Sequence, residues 1–460
     1  MEWLHDQGPL SPEVQAAENA VRATQYLAVS AHPERQRDNT IGRTCTGPGV
    51  IQLVAMNCLD HQKQKLEALP RLAFGIRHQG GLAWCLRWCS GKSPAFAGPA
   101  DRLGLLAAAL GNGQVVIYDV PAETAQRQQD DGTSEGLADA SSAQPCMLDL
   151  QPLACSEAIC GQPGGPSLPS CLDWLPTWPH DLLVVGCWDG TVSLQRIVGE
   201  VGSSLALELL QHFAASQQPL RTVSWLPAEM APADATFDQT HRHVFIAAGH
   251  SGYLQLWDAR DTCRPIFQYS VGYHWLLEVA WNLRELGLVL AQDLRSLEFF
   301  HLRPEHVLAR EKKSVTRVIA FRPAETLPSA IWSVDACSKR GLLAYGTSDG
   351  LTVIGQLNFP YDNRTRPPHV AVSGLQHDGE ALGLKDDSAL EQTHTIYRGS
   401  RSGTKGGKGA IIKQDHPPHP QLAVHRVRWN PNGGPGKAWL AHGGASGFLR
   451  LQHIPISRLD

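Results

Sequence analysis

The chain has 460 residues, of which 42% are hydrophobic and 18% charged, and its formal net charge is −4. This composition supplies a large core and excludes a polybasic nucleic-acid-binding chain. No apolar run approaches the about 18 residues of a membrane span, and residues 1–6 lack the basic and apolar regions of a secretory signal. The eleven cysteines include no C-x-x-C pair, as is typical of reduced thiols in the cytosol or nucleus.

A short motif, glycine followed by apolar residues at alternate positions, recurs along the whole chain. An apolar run precedes each copy, and turn residues such as Asn112 and Asp189 join the run to the glycine. Two such runs predict a β-hairpin, because Gly and Asn adopt positive φ at little cost. The copies begin at Gly49, Gly113, Gly190, Gly252, Gly350 and Gly447, and a degraded copy begins at Arg295.

A tryptophan upstream of the hairpin marks one further strand in six of the seven units, and an apolar run downstream predicts a fourth. Seven units of four strands predict an all-β fold, a seven-bladed WD-repeat-like β-propeller, because stacked sheets bury faces that a lone sheet exposes. The tryptophans are expected to fill the space between neighbouring sheets. They are Trp3, Trp88, Trp174, Trp225, Trp281 and Trp429, and Ala336 takes the place in the sixth unit.

The repeat spacing sets the expected blade boundaries within a single propeller of residues 1–460. Blade 1 is expected to be short at its start, because its first strand begins almost at Met1. A polar insertion at 122–146 interrupts blade 2, and a longer insertion at 359–418 separates blades 6 and 7. The expected blades are 1–80, 81–157, 167–216, 219–271, 273–323, 329–358 and 421–460.

Two segments outside the hairpins are candidate contact sites. The second insertion ends in a Gly-rich basic run, which predicts either a flexible arm that contacts DNA phosphates or a solvated loop without a partner. The exposed aromatics expected ahead of blade 5 are candidates for a protein partner, and packing between blades is the alternative. The candidate DNA-contacting cations are Arg398, Arg401, Lys405, Lys408 and Lys413, and the candidate partner-binding residues are Tyr273, His274 and Trp275.

The sequence offers few catalytic signals. Residues 346–350 match the hydrolase pattern G-x-S-x-G, but that motif needs a strand-to-helix turn, and a hairpin is predicted here. No phosphate-binding loop and no H-E-x-x-H occurs, and zinc binding by Cys85 and Cys89 is the lesser alternative to reduced thiols. We therefore predict a non-enzyme without cofactor, metal or small-molecule substrate.

Three N-terminal blocks carry a resemblance to a known family. They are residues 25–33 (QYLAVSAHP), 47–53 (GPGVIQL) and 70–89, the last containing His78-Gln79-Gly80-Gly81 and Trp84, then Trp88-Cys89. With these blocks the chain resembles the propeller subunit of general transcription factor IIIC, and the similarity of order and spacing extends over all seven blades. Only Trp257-Asp258 spells the WD ending, so this is a divergent WD-repeat sequence.

The resemblance implies a function in RNA polymerase III transcription in the nucleus. The chain would be a scaffold subunit of the complex that recognises the internal B-box of tRNA-type promoters. The implied partners are other transcription factor IIIC subunits, including a second propeller subunit and the large DNA-binding subunit. Promoter DNA would be reached only through the complex. The alternative is a WD-repeat adaptor of another complex, such as a ubiquitin ligase or a chromatin assembly.

Overall fold

Glycine-dependent turns organise the strands of this protein, as the sequence predicts. In the third sheet Gly190 has a φ of +86°, and a Cβ there would overlap the carbonyl oxygen of Ser216, so only glycine fits. The strands on either side of this turn pair antiparallel, with Val184 opposite Leu194. The same turn, with a positive φ at the glycine, recurs at Gly113, Gly252 and Gly350.

A computed structural model describes most of the repeats. Nearly all regular structure in it is β-strand, without an α-helix among the described residues, and it forms seven sheets. The described residues are 1–4, 24–32, 41–57, 70–90, 102–122, 146–157, 165–199, 205–230, 242–283, 287–293, 297–301, 318–321, 329–357, 369–377, 382–385, 419–432 and 438–454.

The chain divides into two compact units, Met1–Ala247 with Ala259–Thr262, and Ala248–Asp258 with Cys263–Asp460. The first unit contains three whole sheets and the first two strands of the fourth. Sheet 1 has the order β1 (Glu2–Trp3), β2 (Thr24–Ser30), β3 (Gly49–Asn57), β4 (Arg71–His78) and β8 (Met147–Leu148). Sheet 2 has the order β5 (Ala83–Trp88), β6 (Arg102–Leu110), β7 (Val115–Pro121) and β9 (Ala154–Cys155). Sheet 3 has the order β10 (Pro169–Trp174), β11 (Leu182–Cys187), β12 (Thr191–Val198) and β13 (Ala206–Ala214). The strands of sheet 4 in this unit are β14 (Leu220–Trp225) and β15 (Val244–Gly249), the latter up to Ala247.

The second unit contains the other two strands of sheet 4 and three further sheets. Those two strands are β16 (Tyr253–Asp258) and β17 (Phe267–Ser270). Sheet 5 has the order β18 (Leu276–Asn282), β19 (Gly287–Gln292), β20 (Leu297–His301) and β21 (Val318–Phe321). Sheet 6 has the order β22 (Ile331–Cys337), β23 (Leu342–Thr347), β24 (Leu351–Gln356), β25 (His369–His377) and β26 (Leu382–Leu384). Sheet 7 has the order β27 (Arg426–Trp429), β28 (Ala438–Gly443) and β29 (Leu449–Ile454).

These seven sheets are the blades of a seven-bladed β-propeller, which confirms the predicted fold class. Their cores lie between neighbouring sheets. One cluster joins Ile51 and Phe74 of sheet 1 to Leu106 and Tyr118 of sheet 2, and all four side chains are buried. The buried faces explain why the sheets form in series, because each sheet alone would leave one apolar face in water.

The boundary expected at residue 358 needs a correction. Strand β25 lies inside the predicted insertion 359–418 but pairs with β24, with Val353 opposite Ala371, so it is the fourth strand of sheet 6. Strand β26 then pairs with the end of β25. The sequence does not predict this strand, because residues 358–368 separate it from β24 by more than the usual length of a hairpin loop. The insertion expected at 122–146 falls almost wholly outside the described residues.

Candidate interaction surfaces

The tryptophans that mark the repeats tie the first strands of successive sheets together in the first unit. The indole N–H of Trp88 donates to the carbonyl oxygen of Glu2 at 3.2 Å, and that of Trp174 to Arg87 at 3.0 Å. Trp225 donates in the same way to Asp173 at 3.2 Å. In each case the acceptor is the residue immediately before the tryptophan position of the preceding sheet. The repeated bond fixes neighbouring sheets in a common register.

The residues immediately before these tryptophan positions in the first unit are charged: Glu2, Arg87 and Asp173. Here two carboxylates share one guanidinium group. Arg87 Nη1 lies 2.9 Å from Glu2 Oε1, and Arg87 Nε lies 3.7 Å from Asp173 Oδ1. Asp173 also accepts hydrogen bonds from Ser224 Oγ at 2.8 Å and Trp225 N at 2.9 Å. Burial raises the pKa of Asp173, and the single Arg87 offsets only part of this effect.

A second charge cluster on first strands lies within the second unit, where one carboxylate receives two guanidinium groups. Glu278 Oε1 lies 2.6 Å from Arg428 Nη2 and 3.4 Å from Arg426 Nη1. Its other oxygen accepts from Ser333 Oγ and, at 3.0 Å, from Val334 N. Burial alone would raise the pKa of Glu278, but the two arginines lower it to about 2. The carboxylate is therefore ionised and fully engaged in structure.

A β-bulge recurs in the first strands, and in each case one residue is left out of the pairing with the second strand. Trp84 is the extra residue in sheet 2 and Trp332 in sheet 6, because the register skips each of them. The Trp84 ring packs edge-on against Trp188, with centroids 5.1 Å apart, and the exposed His32 packs against it at 5.9 Å. Trp332 lies 5.1 Å from His425. The bulges were not predicted from the sequence, because a bulge has no marker residue of its own.

The aromatic loop, defined here as residues 273–275, carries the two most exposed aromatic side chains among the described residues of the second unit. Tyr273 is fully exposed and Trp275 is 47% exposed. His250 stacks on Trp275, with ring centroids 4.3 Å apart and planes inclined by 11°. His274 Nδ1 lies 3.5 Å from Asp293 Oδ1. The loop therefore presents its aromatics to solvent, and the stacked His250 is a partner that no sequence pattern indicates.

Backbone contacts fix the aromatic loop in place. Val271 N donates to Gly252 O at 2.9 Å. A Cβ at Gly252 would lie 2.7 Å from the carbonyl oxygens of Gly272 and His274, so this glycine permits the close approach of the loop. Exposed Tyr and Trp side chains are enriched at protein interfaces, because they supply a large contact area at a low cost in conformational entropy.

The other predicted sites receive less support. The five cations of the basic arm, residues 398–413, lie outside the described residues. Ser348 of the G-x-S-x-G match lies in the turn between two strands, where its Oγ accepts a hydrogen bond from Ala330 N at 3.0 Å. All nine described cysteines are free thiols, and no three metal-ligating side chains converge in the part of the chain that the structure describes. Among those same residues, no helix has the length and apolar character to cross a bilayer.

Seven hairpin-based sheets, with indole hydrogen bonds between successive first strands in the first unit, define a WD-repeat-like propeller. Two curated proteins are similar to this chain, both named General transcription factor 3C polypeptide 2, one from Homo sapiens and one from Pongo abelii. Each is 26% identical over 494 aligned residues, which cover 94% of this chain and 50% of the relative. The chain thus spans about half the length of the curated relatives it matches.

No family model matches the chain. The comparison with the two relatives confirms the resemblance predicted from the sequence.

Proposed function

We propose that this chain is a non-catalytic scaffold subunit of transcription factor IIIC, which supports recognition of the internal B-box of tRNA-type genes for RNA polymerase III in the nucleus. The observation that carries this proposal is similarity to General transcription factor 3C polypeptide 2 along 94% of the chain, over a seven-bladed propeller. A propeller offers a rigid frame whose loops are free to bind partners.

The geometry supports a scaffold rather than a reaction centre. The buried charged groups already have partners in neighbouring sheets. Glu278 forms ion pairs with two arginines, and Asp173 pairs with Arg87 and accepts hydrogen bonds from Ser224 and Trp225. The exposed aromatic loop is our candidate contact for another subunit, either the second propeller or the large DNA-binding subunit. The basic arm is our candidate contact for promoter phosphates within the assembled complex.

Affinity purification tests the proposed complex. The tagged full chain is recovered from nuclear extract, and its associated proteins and DNA are identified. We expect other transcription factor IIIC subunits and retention of a tRNA gene whose B-box is intact, with loss of retention when the B-box is substituted. Recovery of cullin or histone complexes in their place would support the adaptor alternative and overturn the proposal.

DNA binding by the isolated chain is a separate test. We expect weak binding to B-box DNA at physiological salt, because the net charge is −4. A dissociation constant near 10⁻⁹ M would lie within the usual range of about 10⁻⁸–10⁻¹¹ M for sequence-specific DNA-binding proteins. Such a value would contradict the proposal that this chain reaches promoter DNA only through the complex.

The basic arm is tested in the assembled complex. We replace Arg398, Arg401, Lys405, Lys408 and Lys413 with Gln and measure how affinity depends on salt concentration. The slope of log K against log salt is expected to fall by about 0.9 for each phosphate that the arm no longer neutralises. An unchanged slope removes the arm from the interface.

The aromatic loop is tested by subunit recovery. The double variant Tyr273→Ala with Trp275→Ala is expected to weaken co-purification of one other subunit about 30-fold, the loss of a typical interface hot spot. Trp178→Ala is the matched control, because Trp178 is 65% exposed but lies in the first unit, away from this loop in sequence. Equal losses in both variants would show that the loop has no special role.

A further inference from the structure

The turn between the second and third strands of sheet 2 contains an Asn-Gly pair, Asn112-Gly113. Asparagine is a chemically labile residue, and it is most labile before glycine, where no side chain hinders attack by the glycine nitrogen. The equivalent turns of sheets 3, 4, 6 and 7 have no amide side chain at this position. The residues there are Asp189, Ser251, Asp349 and Ser446.

The reaction open to this pair is deamidation. The Gly113 nitrogen loses its proton to a solvent base and attacks Asn112 Cγ. A C–N bond forms, and the Cγ–Nδ2 bond breaks as ammonia leaves with a proton from water. Water then opens the resulting succinimide ring at one of its two carbonyl carbons. The products are aspartate and isoaspartate, and isoaspartate has one additional carbon atom in its main chain.

Both reacting groups are hydrogen-bonded in the fold. Gly113 N donates to Leu110 O at 3.1 Å, and a hydrogen-bonded amide loses its proton to solvent only when the structure opens locally. Asn112 Oδ1 accepts from Gln114 N at 3.1 Å, and Asn112 Nδ2 donates to Gln114 Oε1 at 2.6 Å. The carboxamide cannot change its orientation without breaking at least one of these bonds. Deamidation therefore requires the turn to open.

Gln114 holds the carboxamide from a fixed position. Leu110 N donates to Gln114 O at 2.8 Å, so the main chain of Gln114 is bonded to the opposite strand. Its side-chain oxygen is then in place to accept from Asn112 Nδ2. Gln114 is thus a positioning residue that keeps the amide away from the reaction.

The labile pair lies beside a contact between sheets 1 and 2. Gly111 N donates to Leu82 O at 2.7 Å, and Gly111 O accepts from Cys45 N at 2.8 Å. A Cβ on Gly111 would lie 3.0 Å from Cys45 Cβ, so the main chain has little room to shift. An isoaspartate at position 112 lengthens the chain next to this contact, and we expect it to weaken the contact.

We propose that Asn112-Gly113 is a site of spontaneous deamidation, and that the side chain of Gln114 keeps it unreacted until the turn opens. The inference depends on this turn alone, so it holds whichever complex contains the chain.

Peptide mapping by mass spectrometry tests whether the fold controls the reaction. The full chain is incubated at neutral pH, either folded or unfolded in guanidinium chloride, and aspartate and isoaspartate are measured at position 112. In the unfolded chain we expect similar rates at the two Asn-Gly pairs of the sequence, Asn112-Gly113 and Asn432-Gly433. In the folded chain the rate at Asn112 should be at least about 10-fold lower than in the unfolded chain.

Two variants test the role of Gln114. Gln114→Met removes the acceptor at a similar side-chain length, whereas Gln114→Glu keeps an acceptor oxygen. Deamidation of the folded chain should be about 5-fold faster with Gln114→Met, the effect of one ordinary hydrogen bond, and close to the wild-type rate with Gln114→Glu. Amide exchange at Gly113 should rise with the deamidation rate.

Three results would each overturn the proposal. They are the absence of product at position 112 in the unfolded chain, equal rates at Asn112 in the folded and unfolded chains, and equal rates in the two variants. The first two measurements use the wild-type chain, so they remain decisive even where a variant folds poorly.

Discussion

The two charge clusters on first strands are built with opposite stoichiometry. In the first unit Arg87 lies between Glu2 and Asp173, so two carboxylates share one cation. In the second unit Glu278 lies against Arg426 and Arg428, so one carboxylate has two cations. Both clusters lie on the first strands of their sheets, and both are largely buried.

The direction of the pKa shift follows the stoichiometry. The pKa of Asp173 is raised because burial outweighs its share of Arg87. The pKa of Glu278 falls to about 2, because two arginines outweigh the same kind of burial. Burial of a carboxylate therefore destabilises or stabilises the fold according to the local balance of charge, and substitutions at these and neighbouring positions test this comparison.

The largest effect is expected for Glu278→Gln. The variant leaves Arg426 and Arg428 close together without their counter-ion, and breaking a buried pair in this way costs about 3–5 kcal/mol. Chemical denaturation at pH 7 measures the loss. Asp149→Asn is the control, because Asp149 pairs with Arg77 at the surface with 70% of its side chain exposed; such a pair contributes less than about 1 kcal/mol. Similar losses in the two variants would refute the ranking.

The difference in the free energy of unfolding between wild type and Glu278→Gln is expected to depend on pH. The folded pKa is about 2, and the ordinary value is 4.5. A carboxyl with a lowered folded pKa stabilises fully above its unfolded pKa, and the stabilisation is lost as the pH falls toward the folded pKa. The difference between the two proteins should therefore be constant near pH 7 and shrink below about pH 4.5.

Two buried histidines of the second unit are expected to give the next largest effect. Burial lowers the pKa of His369 and of His442 to about 3 from 6.5. Each is neutral in the fold and takes up a proton on unfolding, so stability falls as the pH drops from about 6.5 toward 3. Each contributes a slope of about 1.4 kcal/mol per pH unit in this window. Unfolding measured between pH 7 and 5 should give a shallower slope for His442→Gln, and an unchanged slope would contradict the prediction.

The repeat architecture was predictable from sequence because its signals are local. A glycine that needs positive φ, as at Gly190, and a tryptophan at the end of a first strand each lie within one hairpin or one strand. Their indole bonds to the preceding sheet explain why the tryptophan recurs.

The interaction sites were less predictable because their partners are distant in the chain. Glu278 and Arg428 are 150 positions apart, and nothing near either residue marks the other. Strand β8 crosses to pair with sheet 1 after the sequence has already begun sheet 2. Trp275 was selected as a candidate, but its stacking partner His250 belongs to a different turn. Such contacts depend on tertiary geometry, which periodicity does not specify.

A smaller difference in the free energy of unfolding is expected between substitutions of two of the tryptophans that mark the repeats. The indole of Trp174 donates to Arg87 O at 3.0 Å, whereas the buried Nε1 of Trp429 has no hydrogen-bond partner within the described residues. Trp174→Phe and Trp429→Phe remove similar apolar area, so they differ mainly by one hydrogen bond. Trp174→Phe is expected to cost about 1 kcal/mol more in the free energy of unfolding. Equal losses would show that the repeated indole bond does not stabilise the sheet register.

The smallest effect is expected for Asp173→Asn, and it has the opposite pH dependence from Glu278→Gln. The amide oxygen can still accept from Ser224 Oγ or Trp225 N, and the change leaves Arg87 with Glu2 alone, so the loss at pH 7 should stay below about 1 kcal/mol. Because the folded pKa of Asp173 is raised above 3.8, its protonation favours the fold. Wild type should therefore gain stability relative to Asp173→Asn as the pH falls toward 3.8, over the range in which it loses its advantage over Glu278→Gln. Difference curves of the same sign for both variants would show that the charge balance does not distinguish the two clusters.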